Sequence, residues 1–173
     1  MVNFKESNLI GVYIINPIST FEDYRGEYIQ LYSKKEYDIL LPEDIYFVED
    51  DISITYKNCF KGIHGDDGTY KLISCLHGCF YLVILNYDKN SPDYGKSTSF
   101  TLSDKNKIQI LVPPKFGNGH LAISDVSIFH YKQTNYYEPS RQFTIRWNDP
   151  QFNIRLPIKD PILSRRDEIG YIV

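Results

Sequence analysis

Apolar residues recur along this chain in short alternating runs, each closed by turn residues. "IGVYIINP" (10–17) reads as a strand ended by Pro17, and "EDYRGEYIQLYS" (22–33) as a turn at Arg25-Gly26 followed by a strand. "KKEYDILLP" (34–42) has the strongest helical character, but it is short and stops at Pro42. Alternation resumes in "IYFVEDDISIT" (45–55). "YKLISCL" (70–76) and "CFYLVILNYD" (79–88) flank a tight turn at His77-Gly78, and "KNSPDYGKS" (89–97) is a loop. "STSFTLS", "KIQILVPP", "GHLAIS", "VSIFHYKQT" and "RQFTIRW" complete the series. The pattern predicts roughly ten strands at the spacing of a sandwich or barrel. With so little helix between them, a parallel α/β sheet does not fit, and an all-β double-sheet jelly roll does. No repeat or linker divides residues 1–173, so a single domain is expected, with 148–173 as an irregular tail packed on the barrel.

Composition supports this reading. Hydrophobic residues make up 42% of 173, which excludes a disordered chain, and 15 Tyr with 10 Phe favour strands. The net charge is −3 without a basic tract, so nucleic acid is not an expected partner. The longest apolar runs, such as "FYLVIL" (80–85), are too short to span a bilayer, and the start lacks a signal-peptide core. A cytoplasmic protein is expected. Cys59, Cys75 and Cys79 lie in or beside apolar segments without a C-x-x-C pair and read as buried reduced thiols.

The densest chemistry is "KGIHGDDGTYKLI" (61–73). Glycines 62 and 65 let the backbone bend and leave room for His64, the natural general base near neutral pH. A core or turn histidine is the even alternative. Lys71 opens an apolar strand; pointing inward it meets an anion or a developing negative charge, pointing outward it is an ordinary edge lysine. Tyr131 and Tyr137 in "FHYKQTNYYEP" offer a phenol for proton donation or stacking, though in so tyrosine-rich a chain packing is the default role. Asp167 near the end suits an imidazole orienter or a plain helix cap. Arg25, Lys61 and Lys115 are candidate phosphate clamps against a background of scattered surface cations. His120 and His130 lack the H-x-H-plus-carboxylate pattern of a jelly-roll metal site, so no metal is expected. No nucleophile elbow, phosphate loop or dinucleotide fingerprint occurs.

Several stretches in order, "FEDYRGEY", "KGIHG" then "YKLI", "HGCFYLVILNYDKNSPDYG", "ILVPPKFGNGH", "YKQTNYYEP", "IRWNDP" and "PILSRRD", together resemble the cupin-fold epimerases of 4-keto sugar nucleotides, the dTDP-4-dehydrorhamnose 3,5-epimerase type. The likeness spans residues 21 to 167. It implies a cupin jelly roll, a homodimer whose N-terminal strands (about 1–55 here) help build the neighbouring subunit, and no cofactor. By position it implies His64 as base, Asp167 as its orienter, Lys71 as enolate support, Tyr131 as acid, Tyr137 in the site and Arg25 on the substrate phosphates.

The departures from the family pattern are dense. Lys61 replaces the Arg of R-G-x-H; Glu49 and Asp51 replace the amides of Q-x-N; Gln30 replaces a Glu; and in "GNGH" Asn118 replaces a site histidine while His120 takes a Phe position. Lys61, Asn118, His120, Tyr137, Glu49, Asp51 and Arg25 are the expected substrate-binding set. These changes resemble the capsule-biosynthesis branch acting on GDP-linked 4-keto-heptoses at C3, or at C3 and C5. The alternatives are a dTDP-4-keto-6-deoxyhexose 3,5-epimerase, a sugar-nucleotide 3,4-ketoisomerase of the same fold, a non-catalytic carbohydrate-binding jelly roll, and a metal-dependent cupin oxygenase.

Overall fold

A computed structural model describes residues 2–170. The strands, in chain order, are β1 (Asn3–Glu6), β2 (Tyr13–Asn16), β3 (Ile18–Asp23), β4 (Gly26–Gln30), β5 (Glu49–Tyr56), β6 (Phe60–Gly65), β7 (Lys71–His77), β8 (Cys79–Asn86), β9 (Ser97–Ser103), β10 (Gln109–Val112), β11 (Phe116–Ala122), β12 (Val126–Gln133) and β13 (Phe143–Thr144). Among the described residues helix is confined to α1 (Lys34–Tyr37), α2 (Arg165–Ile169) and two single 3₁₀ turns. Six strands form one antiparallel sheet in the order β1-β2-β10-β7-β12-β5, and five form a second in the order β13-β6-β11-β8-β9. The β3–β4 hairpin pairs with neither. This is the double-sheet all-β architecture that the alternating runs predict.

The two sheets close on a shared core. Ile73, Ile110, Val112 and Phe129 face Phe80, Leu82, Ile84 and Leu102 across it. Two satellite clusters cover the outer faces. Phe152, Ile154 and partners from the tail pack on Phe60, Ile63, Val83 and Leu85. Tyr37 and Leu41 pack on Ile15, Leu72 and Leu111. The tail therefore sits on the five-stranded sheet, as an irregular segment rich in Pro can do without offering strand edges. Cys75 is buried, and burial pushes its thiol up to about 12, the behaviour of an inert reduced cysteine. Among the described residues no helix is long and apolar enough to cross a membrane.

Three expectations change. Residues 45–48 precede β5 instead of belonging to it, and the "RQFTIRW" segment pairs only at Phe143–Thr144. His64 lies within a strand, not in an open bend. The glycines around it serve close strand packing: a Cβ at Gly62 would stand 2.4 Å from the Gly119 Cα, and one at Gly65 would stand 2.4 Å from both the Phe116 carbonyl oxygen and the Phe143 ring. Gly62 also has φ +133°, a conformation side chains disfavour, and the β6–β11 register shifts there. Glycine-rich "KGIHG" has low strand propensity, so only its two flanking partners, β11 and β13, make it a strand.

Candidate active site

A cavity of 410 Å³ opens between the two sheets, within the size range of small-molecule sites. The five-stranded sheet contributes His64 from β6 with Asn118 and His120 from β11. The six-stranded sheet contributes Lys71 from β7 with Phe129, Tyr131 and Gln133 from β12. The loop after β12 supplies Tyr137, and Arg166 and Asp167 arrive from α2.

His64 is held by Asp167. Its Nε2 stands 2.6 Å from Asp167 Oδ1, and the Asp167 side chain is only 3% exposed. The contact uses Nε2, whereas the carboxylate of a serine-protease triad meets Nδ1. Donation from Nε2–H to the carboxylate leaves Nδ1 as the basic nitrogen. Asp167 also sits in the first turn of α2. Ser164 caps that helix, accepting from the Asp167 N–H at 3.2 Å and donating its hydroxyl to Asp167 Oδ2 at 2.9 Å. Gly170, at φ +61°, closes the helix. Asp167 is thus not itself the cap residue, which is Ser164; the Ser164 cap fixes the carboxylate that meets the imidazole.

Lys71 carries its ammonium into a desolvated setting. Burial first, and then the Arg166 guanidinium, lower its pKa, while Asp66 opposes the shift. Asp66 itself explains the paired aspartates after His64. It is 5% exposed, accepts from the Gly68 and Thr69 amides at 2.9 and 2.8 Å, and accepts from Gln142 Nε2 at 3.0 Å. It therefore ties the β6–β7 loop and supplies the negative field that Lys71 feels. Asp67 is exposed.

Tyr131 faces the cavity from the sheet opposite His64. Burial, followed by the Asp51 and Glu49 carboxylates, pushes its phenol up to about 12, so it holds its proton at neutral pH. His120 is buried, stacked on Phe129 at 4.2 Å, and bonded to Thr55 Oγ1 at 2.9 Å. Burial, with Lys61 and His64 nearby, drives its pKa down to about 3, which leaves a neutral imidazole. Lys61 lies at the cavity rim, donating to Ser53 Oγ at 2.8 Å and the Ile54 carbonyl at 3.0 Å.

The expected site set therefore divides. His64, Lys71, Tyr131, Asp167, Lys61, Asn118, His120 and Tyr137 line one cavity. Glu49 and Asp51 oppose Gln133 and Tyr131 on the neighbouring strand and are not among the lining residues. Arg25 lies at the exposed tip of the β3–β4 hairpin, paired with Asp23 at 2.7 Å, and is not among the lining residues. Lys115 pairs with Asp88 at 3.4 Å and is likewise not among them. Sequence reasoning missed Gln133, Gln142 and Arg166. The last was legible beside Asp167 in "LSRRD"; its Nε donates to Thr144 Oγ1 at 2.8 Å and its Nη2 is buried without a partner. Among the described residues no three His, Cys, Asp or Glu side chains gather as metal ligands do.

An imidazole paired with a carboxylate on one wall, and a protonated phenol with a desolvated cation on the other, fit proton removal next to a carbonyl. Comparison with known proteins identifies the family. The sequence profile described as dTDP-4-dehydrorhamnose 3,5-epimerase matches residues 6–171. The enzyme of that name from Escherichia coli K12 is 34% identical over 96% of this chain and 92% of its own. The dTDP-6-deoxy-D-glucose-3,5-epimerase of Legionella pneumophila, solved with dTDP-4-keto-L-rhamnose, superposes with TM-score 0.92 at 31% identity, covering 98% of this chain and 92% of that one. The dTDP-4-dehydrorhamnose 3,5-epimerase of Bacillus anthracis, solved with TDP and pyrophosphate, has TM-score 0.92 at 29% identity over the whole of both chains. These relatives are named for dTDP-linked sugars and not for the GDP-linked heptoses that the sequence departures put first. The chain belongs to the dTDP-4-dehydrorhamnose 3,5-epimerase family and is a cupin-fold carbohydrate epimerase of 4-keto sugar nucleotides.

Proposed function

We propose that the chain inverts C3, or C3 and C5, of a dTDP-linked 4-keto-6-deoxyhexose through an enolate, with no cofactor. The observation that carries this is the placement of His64 with Asp167 and of Tyr131 on opposite walls of one cavity, with Lys71 lining it from the Tyr131 sheet. The C4 ketone acidifies the neighbouring C–H bonds. His64 removes the proton from one face, Lys71 stabilises the enolate oxygen, and Tyr131 protonates the other face, inverting the carbon. Asn118 in place of a site histidine bears on how many centres are inverted: Asn118→His shifts the ratio of singly to doubly inverted product, and an unchanged ratio removes that idea.

A GDP-4-keto-heptose of capsule biosynthesis is the second reading. It rests on Lys61, Glu49, Asp51, Asn118 and His120, all departures at or beside the cavity. The dTDP-linked reading is better supported, because the relatives compared are named for such sugars.

Arg25 acts on phosphates only if a second copy of this chain brings its hairpin to the cavity. Exposed Phe21, Tyr24 and Tyr28 on that hairpin, and exposed Ile52, Ile54 and Tyr56 on edge strand β5, support such a homodimer.

The test follows the C3 and C5 protons by NMR in D₂O, with dTDP-4-keto-6-deoxyglucose and GDP-4-keto-heptose supplied separately. Exchange with the dTDP sugar that disappears in His64→Asn is expected. Exchange with the GDP sugar alone reverses the substrate assignment, and migration of the carbonyl without inversion identifies a ketoisomerase.

A further inference from the structure

Tyr131 has an acidic neighbour that its role as proton donor does not by itself require. Asp51 is its directly opposed partner in the β5–β12 ladder, and Glu49 opposes Gln133 two residues on. Directly opposed residues present their side chains on one face, so the Asp51 carboxyl stands beside the Tyr131 phenol. Gln133 binds this pair together: its Nε2 donates to Glu49 Oε1 and lies 3.5 Å from Asp51 Oδ2. Glu49 is anchored further by the Tyr137 amide at 3.2 Å. Tyr131 lines the cavity, whereas Asp51 and Glu49 stand beside it on the edge strand, partly exposed to solvent and outside the cavity lining.

Each inversion leaves His64 with an extra proton and Tyr131 without one. A bound sugar separates the two walls, so the proton on His64 has no direct path back. An enzyme that inverts two centres in one encounter must recharge Tyr131 while the sugar still fills the cavity. We propose that Asp51, backed by Glu49, is a relay that returns a proton to Tyr131 from the solvent side of β5. This rests on the epimerase reading with Tyr131 as the acid.

The steps balance in protons alone. Tyr131 O–H breaks as the carbon–hydrogen bond forms. The resulting phenolate takes the proton of the Asp51 carboxyl, and the Asp51 carboxylate takes one from hydronium or a buffer acid. His64 gives its proton to solvent separately. The groups facing Asp51 suit the task. Burial and the neighbouring Glu49 and Asp50 carboxylates raise its pKa, and Tyr131 opposes that shift. A carboxyl so placed holds a proton more readily than a free one, yet surrenders it to a phenolate whose conjugate acid titrates near 12.

Asp51→Asn and Glu49→Gln test the relay, with deuterium uptake at C3 measured both in a single turnover under enzyme excess and at steady state. In Asp51→Asn, steady-state kcat falls on the order of tenfold, the low end of what a positioned proton-transfer group supplies. The first transfer stays within about twofold. Added acetate restores kcat, and so does Asp51→Glu. Glu49→Gln shows the same split more weakly, and carries the test alone if Asp51→Asn does not fold. Equal loss in both regimes, no loss at all, or a loss that acetate does not relieve overturns the relay. If the unmodified protein exchanges neither C3 nor C5, or His64→Asn keeps the exchange, the parent reading fails and the relay with it. If those controls hold and the Asp51 and Glu49 variants behave as wild type, the relay alone is wrong.

Discussion

Asp167→Asn tests the core of the site. The carboxylate lies 2.6 Å from His64 Nε2 with a side chain 3% exposed, so it supports the imidazolium that forms when His64 takes a proton. A charge-assisted hydrogen bond of this kind contributes about 1.5–3 kcal/mol. In the proposed mechanism the imidazolium develops as His64 takes the proton, so the loss falls on kcat when that transfer limits turnover. At about 1.36 kcal/mol per decade this is roughly ten- to 150-fold. An asparagine that turns its NH₂ toward Nε2 also forces the wrong tautomer, and the loss then approaches 10⁴-fold, on the order seen when the triad aspartate of a serine protease is amidated. KM changes little, because Asp167 meets His64 and not the sugar. The assay is initial-rate deuterium wash-in at C3 by NMR, with thermal melting as the fold control. Ser164→Ala separates the helix cap from the chemistry: it removes about 1 kcal/mol of stability and leaves kcat far less affected. If Asp167→Asn retains kcat within about threefold, the His64–Asp167 dyad is not the base.

Other perturbations follow from the same geometry. Lys71→Met removes the ammonium but keeps the length; kcat falls by at least about a hundredfold for loss of enolate support, and Tm at pH 7 rises. The sign follows from the lowered Lys71 pKa: below the unfolded value of 10.5 the unfolded chain binds more protons there, so the native lysine weakens the fold as pH falls through its folded pKa, and Lys71→Met flattens that dependence in melting curves. His120, with a pKa lowered from 6.5 to about 3, contributes stability that is full above pH 6.5 and is lost as pH falls toward 3; His120→Phe keeps the stacking on Phe129 and flattens the decline of Tm between those limits. Asp66→Ala strips the Gly68, Thr69 and Gln142 bonds from a buried site, costs roughly 3–5 kcal/mol in urea unfolding, and lowers kcat through Lys71.

Much of this molecule was legible in the chain, and the misses share a cause. The runs at 70–76, 79–88, 97–103 and 126–134 became β7, β8, β9 and β12 because their alternation matches a two-sheet core. β6 escaped notice because its strand character comes from partners and not from "KGIHG" itself. β5 misleads in another way. Its apolar residues Ile52, Ile54 and Tyr56 are 59%, 53% and 66% exposed, while Glu49, Asp51 and Ser53 turn toward the cavity side. Alternation gives the period of a strand but not which face meets the core when the core end is a polar cavity. The motif residues came together as expected, but Arg25 did not, since a spacing in sequence cannot say whether a hairpin folds onto its own chain or another.

The site divides its labour between the sheets for an electrostatic reason. A base and an acid that act on one carbon from opposite faces must differ in proton affinity, and adjacent groups in one shared field would shift together. Here His64 is on the five-stranded sheet with a carboxylate locked to its ring, so positive charge on it is stabilised. Tyr131 is on the six-stranded sheet beside carboxylates that disfavour its ionisation. The same type of neighbour thus favours charge on one group and disfavours it on the other, because the charges they acquire have opposite sign. Lys71, on the Tyr131 sheet and partly buried, is the cation that the proposed mechanism sets against the enolate, and the nearby Asp66 charge offsets part of its desolvation. Exchanging the residues at 64 and 131 would therefore not give a mirror-image epimerase. Tyrosine against Asp167 would be a poor base, and histidine beside Asp51 would be drawn to its charged form; such a double variant is expected to show no C3 exchange in D₂O, and measurable exchange would refute this assignment of fields.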